Sequence, residues 1–283
     1  MYAIDFEYAN ERLSDYGMMI CNFNSSGGAE AVSSGADITF SQAKASGSSR
    51  FSLYSFAYEN AYTATFQICR LPNRSKAGKA LYLTPDEVTA IQRWLCRREY
   101  HRFKIDQDGY QNIYWNAVFQ SKQIMLNGQI AGLELTMYTD APYAYLDEIH
   151  IEYTCHGGMP FQLYDESGET GYIRPELEIT ILSDQYIDGE GNLQQTKRGI
   201  FVLSNSMDNK FMQISNCSVG EVLNIDGKNQ MIFSTDEEHD VAKDFNYFYP
   251  KIINTYDDKL NIYTPSLDCK IRFSYSPIRK IGL

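Results

Sequence analysis

The chain has 283 residues, 43% of them hydrophobic, so it is long enough to build one large or two ordinary domains. This composition excludes disorder of the chain as a whole. The 22 tyrosines and the many short runs of Val, Ile, Phe and Tyr favour β-structure. The formal charge of −11 is concentrated in residues 143–283, which carry 12 basic and 22 acidic residues, and this argues against a general nucleic-acid-binding protein.

The six cysteines lie far apart and include no C-x-x-C pair, so we interpret them as reduced thiols. Acidic residues near the amino terminus interrupt any apolar run that could act as a signal peptide, and no stretch approaches membrane-spanning length. We therefore expect synthesis in a cytoplasm and no membrane partner.

The first part of the chain reads as a strand, a turn and a strand. Residues 2–6 and 18–23 have strand composition, and Asp15-Tyr16-Gly17 forms a polar turn between them. Residues 43–49 are mostly small and predict a mobile connection. Residues 51–69 contain aromatic and β-branched residues at every second or third position, which predicts one or two strands.

A helix is predicted from Thr84 to Arg98. Thr84 can cap it, Pro85 suits the first helical position, and Glu87 completes a capping box. Trp94 belongs to the apolar stripe of this helix, which favours a core residue over a ligand platform. The stripe consists of Val88, Ile91, Trp94 and Leu95.

The segment from Arg70 to Lys104 carries nine basic and three acidic residues. One interpretation is a solvated helix face, with Arg97 and Arg98 favouring the helix carboxyl end. The other is a contact surface for an acidic neighbour, such as an adjoining subunit, another partner protein or passing DNA. The candidate assembly surface consists of Arg70, Arg74, Lys76, Lys79, Arg97 and Arg98.

An Asp108-Gly109 turn predicts a hairpin between residues 103–106 and 113–119, and residues 133–138 alternate as a further strand. Pro142 then stops that strand where the charge balance changes, so we expect domains at 1–142 and 143–283. The second domain shows short strands at the spacing of a β-sandwich. Besides the closing hairpin described below, these are residues 149–153, 176–182, 199–203, 211–214, 259–263 and 269–275.

No metal site is predicted. The Asp-Gly steps at Gly109 and Gly189 lack the ligand pattern of a calcium loop. His150, Cys155 and His156 could offer soft ligands, but a structural zinc site needs four that converge, and the chain has only two other histidines.

Catalysis is not predicted either. Glu176 and Glu178 form one of several pairs of carboxylates that are close in sequence. A glycosidase needs two carboxylates at a defined distance in space, and closeness in sequence does not show that distance. The run from Asp236 to Asp240 is interpreted as a solvated loop. Nucleophile elbows, phosphate loops and dinucleotide fingerprints are all lacking from the sequence. We therefore expect no enzyme activity, no catalytic residues and no cofactor.

The closing segment is the most distinctive. Residues 221–226 and 231–233 predict a hairpin, with Gly227 taking the positive φ of a tight turn after Asp226. Asp244-Phe245-Asn246 and Pro250 predict an anchored corner, because Asp and Asn side chains bond their own backbone and proline ends strand pairing.

In order and spacing, this hairpin and corner resemble the carboxy-terminal signature of bacteriophage distal tail proteins, the Dit family of long, non-contractile tails. The signature positions are Asp226, Gly227, Asp244, Phe245, Asn246 and Pro250. The turn at Asp15-Tyr16-Gly17 and the Pro142-Tyr143 step are similar to features of the same family. The resemblance implies a mainly β fold, in which an amino-terminal, split-barrel-like domain with one α-helix precedes a galectin-like β-sandwich.

The resemblance also implies a structural role in the virion, at the distal end of the tail. Six copies would form a homo-hexameric ring through the first domain, and the second domain would project outward. The ring would join the major tail tube protein to a tail-tip protein and a receptor-binding protein, and DNA would pass through it without specific binding. Two alternatives stay open, a carbohydrate-binding β-sandwich that assists host adsorption and a β-sandwich glycoside hydrolase.

Overall fold

The computed structural model describes residues 3–23, 33–72, 81–183, 185–187, 193–195 and 199–283. It divides into two compact units, the first formed by Met1–Asp147 with Arg279–Leu283 and the second by Glu148–Ile278. Both consist mainly of antiparallel strands, which confirms the predicted fold class. The sheets are open, and the described strand pairs close no barrel.

The first unit contains helix α1 (Pro85–Leu95) and a 3₁₀ turn at Leu13–Tyr16. Its strands in chain order are β1 (Phe6–Tyr8), β2 (Glu11–Arg12), β3 (Met18–Cys21), β4 (Ile38–Lys44), β5 (Phe51–Tyr58), β6 (Thr63–Arg70), β7 (His101–Ile105), β8 (Ile113–Leu126), β9 (Gln129–Thr139) and β10 (Ala144–Leu146). The main sheet has the order β2-β1-β7-β8-β9-β6-β3, and β10 pairs with β8.

Helix α1 begins where the sequence predicts, because Thr84 caps it. Thr84 Oγ1 accepts the backbone N–H of Glu87 at 3.3 Å, and the Glu87 carboxylate accepts the N–H of Thr84 at 2.8 Å. This capping box pairs two backbone N–H groups at the helix start. The helix ends at Leu95 and not at the predicted Arg98, since the next residue leaves helical dihedral angles with φ −87° and ψ 65°.

Aromatic side chains fill the core around α1. Trp94 is 3% exposed, stacks on Tyr16 with ring centroids 4.5 Å apart and lies parallel to Phe6 at 5.7 Å. Its Nε1–H donates to the carbonyl of Tyr8 at 3.0 Å. A buried indole that is fully packed and hydrogen-bonded belongs to the core, so the prediction for Trp94 is confirmed.

Strands β4 and β5 pair with each other and with no other described strand. Most of their side chains are exposed. The segment predicted as a mobile connection is the end of β4 and the turn of this hairpin, because Ala43 pairs with Ser52. The one or two strands predicted between Phe51 and Cys69 are β5 and β6.

The second unit contains the one-turn helix α2 (Val241–Asp244). Its strands in chain order are β11 (Ile149–Cys155), β12 (Phe161–Tyr164), β13 (Gly171–Ile173), β14 (Glu176–Ile181), β15 (Gln185–Ile187), β16 (Leu193–Gln195), β17 (Gly199–Asn205), β18 (Lys210–Cys217), β19 (Val222–Asp226), β20 (Met231–Ser234), β21 (Ile252–Asn254), β22 (Leu260–Pro265) and β23 (Cys269–Tyr275), and β24 (Ile278–Arg279) follows.

Two sheets of this unit form the predicted β-sandwich. One has the order β11-β23-β14-β19-β20 and the other the order β12-β22-β17-β18. Alternate residues of both sheets point into one apolar core, as shown by Ile179 and Phe273 from the first and Phe201 and Tyr263 from the second, all 0% exposed. Strands that bury every second residue against a facing sheet show the alternation that the sequence carries.

The first unit continues beyond the predicted boundary at Pro142. Tyr145 of β10 pairs with Tyr114 of β8, so the chain stays in the first unit after the proline. The chain end also returns to this unit, where the backbone N–H of Leu283 donates to the hydroxyl of Tyr62 at 2.8 Å. The proline and the change in charge mark the end of β9, but neither signal reports pairing with a distant strand.

Candidate functional site

The corner after α2 is fastened to strand β18 by the side chain of Asn246. Its Oδ1 accepts the backbone N–H groups of Gln213 at 3.1 Å and Phe248 at 3.2 Å, and its Nδ2 donates to the carbonyl of Phe211 at 3.0 Å. The N–H of Asn246 also donates to the Gln213 carbonyl at 3.0 Å. The predicted bond to its own backbone is present, but most of its bonds hold a neighbouring strand.

The other corner residues pack and cap around Asn246. Phe245 is 4% exposed and forms a bridge with Ile214 of β18. The Oδ2 of Asp244 accepts from the side-chain amide of Asn216 at 3.0 Å, so this carboxylate also holds strand β18. Pro250 is buried and lies just before β21. The corner is therefore a structural joint between α2, β18 and β21.

The turn between β19 and β20 is held by Asp226. Its carboxylate accepts the backbone N–H of Asn229 at 2.8 Å and the side-chain amide of the same residue at 2.7 Å. The bond from the Asn229 backbone is the main cause that holds the pKa of Asp226 below its usual value. The turn is confirmed, with Asp226 as the residue that orders it.

The positive φ predicted for Gly227 is wrong, since the left-handed position in this turn is Gln230, with φ 55°. Glycine is needed for a different reason. A Cβ at position 227 would lie 2.4 Å from the carbonyl oxygen of Pro175, to which the Gly227 N–H donates at 3.2 Å. The requirement is close approach of two backbone segments.

A buried polar cluster lies between this hairpin and α2. His239 Nδ1 lies 2.6 Å from Oε1 of Glu221, and both side chains are 0% exposed. Glu221 also accepts the N–H of Ser218 at 2.8 Å and the hydroxyl of Ser234. Burial, followed by the charge of Glu221, raises the pKa of the adjacent Cys217 to about 12.

The residues predicted as a candidate assembly surface have different surroundings. Arg70 is largely covered and bonds the Glu87 carboxylate at the start of α1, so it serves the helix cap. Arg97 donates to the Trp94 carbonyl at 3.0 Å and pairs with Glu11 at 3.3 Å, whereas Arg98 is exposed. Arg74, Lys76 and Lys79 lie outside the described residues.

Comparison with known families assigns both halves of the chain. Residues 1–141 match the family described as the phage tail protein N-terminal domain, and residues 143–275 match the family described as the phage tail C-terminal domain. The chain belongs to the phage tail proteins. No curated protein matches it in sequence.

The fold of this tail protein is similar to that of a solved distal tail protein. The crystal structure of the Dit protein of phage SPP1 superposes with a TM-score of 0.65 at 9% sequence identity, over 96% of this chain and 98% of that chain. That structure is described as a paradigm of the hub adsorption apparatus in phages that infect Gram-positive bacteria. The resemblance to the distal tail family is confirmed at the level of the fold.

The three side chains considered as possible metal ligands in the sequence have different neighbours in the tail protein. His150 Nδ1 lies 2.9 Å from the Ser274 hydroxyl. Cys155 lies opposite Cys269 in the register of β11 and β23, and both are free thiols. His156 Nδ1 lies 3.6 Å from the carboxylate of Asp268. In the described part of the chain, no group of three or more His, Cys, Asp or Glu side chains could hold a metal ion. Gly189, the other rejected calcium-loop position, lies outside the described residues.

One cleft of the second unit offers little to a sugar. It has a volume of about 620 Å³ and no aromatic residue among its described lining, whereas ligand pockets are lined mainly by hydrophobic and aromatic side chains. Its lining consists of Gly157, Gly158, Met159, Val202, Ser204, Thr264, Pro265 and Ser266. Across the described residues, no helix has the length and apolar character needed to span a membrane.

The sequence did not predict the buried cluster of His239 and Glu221. Residues 236–240 read as a solvated loop, and Glu237, Glu238 and Asp240 are exposed, but His239 is buried against Glu221. The two residues stand 18 positions apart, on opposite sides of a hairpin. A histidine amid acidic residues looks like surface, so only the tertiary fold identifies this pair.

Proposed function

We propose that this tail protein is a structural hub, in which six copies form a ring that joins the tail tube to the tail-tip and receptor-binding apparatus. The observation that carries the proposal is the similarity to SPP1 Dit over nearly the whole of both chains. A partial match would support only a shared domain, whereas here both units find counterparts. The protein acts by assembly and has no enzymatic role.

The ring is built by the first unit, and the second unit extends outward to contact tail-tip and receptor-binding proteins. DNA passes through the opening without sequence-specific contacts. This arrangement places the protein at the distal end of the virion tail, after synthesis in the host cytoplasm. A tail tube protein and a tail-tip protein are its neighbours along the tail.

The mass of the purified full-length protein tests the ring. We expect light scattering to give the mass of six chains of 32.4 kDa. Gold-labelled antibodies against the protein should mark the tail end far from the head in electron micrographs of virions, with antibodies from before immunisation as the control. Label along the tube, or at the head, would contradict the hub role.

The exposed cation Arg98 supplies the test of the candidate assembly surface. An Arg98→Glu variant should assemble less well, most clearly at low salt, because exposed charges interact strongly only when screening is weak. Lys228→Glu reverses an exposed charge in the second unit and is the matched control. Arg70 is unsuitable for this test, since its loss would disturb the cap of α1. Equal assembly of both variants at every salt concentration would exclude Arg98 as a contact of this surface.

A further inference from the structure

The hairpin of β4 and β5 has two faces of opposite character. Phe40 lies opposite Phe56, Gln42 opposite Leu53 and Lys44 opposite Phe51. Side chains that are opposite each other in an antiparallel pair point to the same side, so Phe40, Phe51, Leu53 and Phe56 share one face with Gln42 and Lys44, and we call it the hairpin face. The residues paired on the other side are small, namely Thr39, Ser41, Ala43, Ser52, Ser55 and Ala57, and Tyr54 lies unpaired at the register shift between Ser41 and Gln42.

The hairpin face is exposed. The exposed fractions are 57% for Phe40, 66% for Phe51, 57% for Leu53 and 42% for Phe56. Only the root of the hairpin, at Tyr58, packs against the core of the first unit. A contiguous set of large apolar side chains on a soluble protein marks a contact surface.

The hairpin also lacks the support that strands normally have. A two-stranded sheet alone is marginally stable in water, because it buries too little apolar surface to offset the entropy of ordering its chain. Neither β4 nor β5 pairs with another described strand. Covering the hairpin face would supply the missing burial, so a partner would complete this element.

Charge indicates what the partner is. Between residues 38 and 58 the charged residues are Lys44 and Arg50, with no acid, so the hairpin carries +2, the rest of residues 1–142 carries −3 and residues 143–283 carry −10. An apolar, cationic arm is complementary to the acidic surface of an identical chain. In a closed ring with head-to-tail contacts, each copy would give one hairpin and receive one, so every hairpin face would be covered.

We propose that the hairpin face docks on a neighbouring copy of this chain and is a principal contact between subunits. The inference rests on the proposed ring and adds to it the element that joins the copies. Phe51 and Leu53, near the turn, make the central apolar contacts.

Photo-crosslinking on the full-length protein tests the contact directly. The photoreactive amino acid p-benzoylphenylalanine is placed at Phe51 in one sample and at Ser52, on the opposite face of the same strand, in the other. We expect irradiation to join chains from position 51 and to leave position 52 largely unlinked. Mass spectrometry of the linked peptides should place the acceptor on a second copy.

A substitution test gives the same information without a probe. Phe51→Ser combined with Leu53→Ser should shift the particle mass from six chains toward one. Phe233→Ser is the matched control, since Phe233 is 56% exposed on β20 of the second unit, and it should leave the mass unchanged.

The outcomes separate the two proposals. If wild type forms six-chain particles and position 51 yields no link between chains, the hairpin contact is overturned and the ring stands. Six-chain particles that survive the double substitution overturn it equally. If wild type stays monomeric at all concentrations and position 51 links only within its own chain, the ring and the hairpin contact both fail in solution.

Discussion

Oε1 of Glu221 lies 2.6 Å from Nδ1 of His239, and neither side chain is exposed to solvent. The pair joins the start of the β19–β20 hairpin to the residues before α2. His239 Nε2 lies 3.4 Å from Oδ2 of Asp244 without hydrogen-bond geometry. Buried groups of this kind are costly to leave unpaired, so the pair determines how the closing segment is held.

Removal of the Glu221 carboxylate should therefore destabilise the second unit. We expect Glu221→Ala to lower the free energy of unfolding by about 1–3 kcal/mol, because it leaves His239 and the Ser218 N–H buried without their partner. Chemical denaturation measures the change. Glu237→Ala is the control, because Glu237 is exposed in the loop that contains His239. It should change the free energy of unfolding by less than about 0.5 kcal/mol. Equal losses of unfolding free energy in the two variants would show that the buried Glu221–His239 pair does not stabilise the second unit.

Gly227→Ala should destabilise the hairpin by steric overlap. Its Cβ would lie 2.4 Å from the Pro175 carbonyl oxygen, so the two backbone segments must separate, at a cost of about 1–3 kcal/mol. Gly109→Ala provides the comparison, since Gly109 has φ +85° and open space around it, and its cost is the backbone strain of about 1–2 kcal/mol. A crystal structure of the Gly227 variant should show β14 displaced at Pro175. An undisturbed Pro175 with unchanged stability would refute the close-approach explanation.

Asn246→Ala should loosen the corner at two identifiable amides. The N–H groups of Gln213 and Phe248 both donate to Asn246 Oδ1, so both should exchange with deuterium faster in the variant. We expect a loss of stability of about 1–2 kcal/mol. Asn224→Ala, at an exposed position of β19, should leave both exchange rates as in wild type. Unchanged protection of Gln213 would mean that the strand holds without this side chain.

Glu87 gives the first unit a pH dependence. Hydrogen bonding from Arg70, and then from the backbone of Thr84, lowers the pKa of Glu87 to about 2 from an ordinary value of 4.5. A group whose pKa is lower in the folded state stabilises the fold above the unfolded pKa and loses this effect as the pH falls toward the folded pKa. The contribution should therefore be complete above pH 4.5 and fade between 4.5 and 2.

Glu87→Gln tests this dependence. The glutamate is 40% exposed, so solvent screening reduces its contribution to about 1 kcal/mol. The difference in unfolding free energy between wild type and variant should shrink as the pH is lowered through this window. Since all other carboxylates titrate in both proteins, the difference isolates Glu87. A constant difference from pH 7 to pH 2 would contradict the assignment.

Several features followed from sequence because local rules govern them. The cap of α1 depends on Thr84 and Glu87, three residues apart, and Trp94 falls on a helical stripe whose spacing predicts burial. Alternating residues predicted most strands of the second unit, and the order of hairpin and corner indicated the distal tail fold. In each of these cases the interacting residues are close in the chain or repeat with a regular period.

The tertiary structure decided what depends on distant partners. Position 227 must be glycine because the Pro175 carbonyl lies too close for a Cβ, and His239 is buried against Glu221. Neither role can be predicted from the neighbouring residues in the sequence. The β4–β5 hairpin looked like a connection and a strand, and only the fold shows that its apolar face has no cover within the described unit. Composition and periodicity predicted the mainly β fold class of this protein. Which side chains meet depends on how strands pair across long separations, and that information is not local.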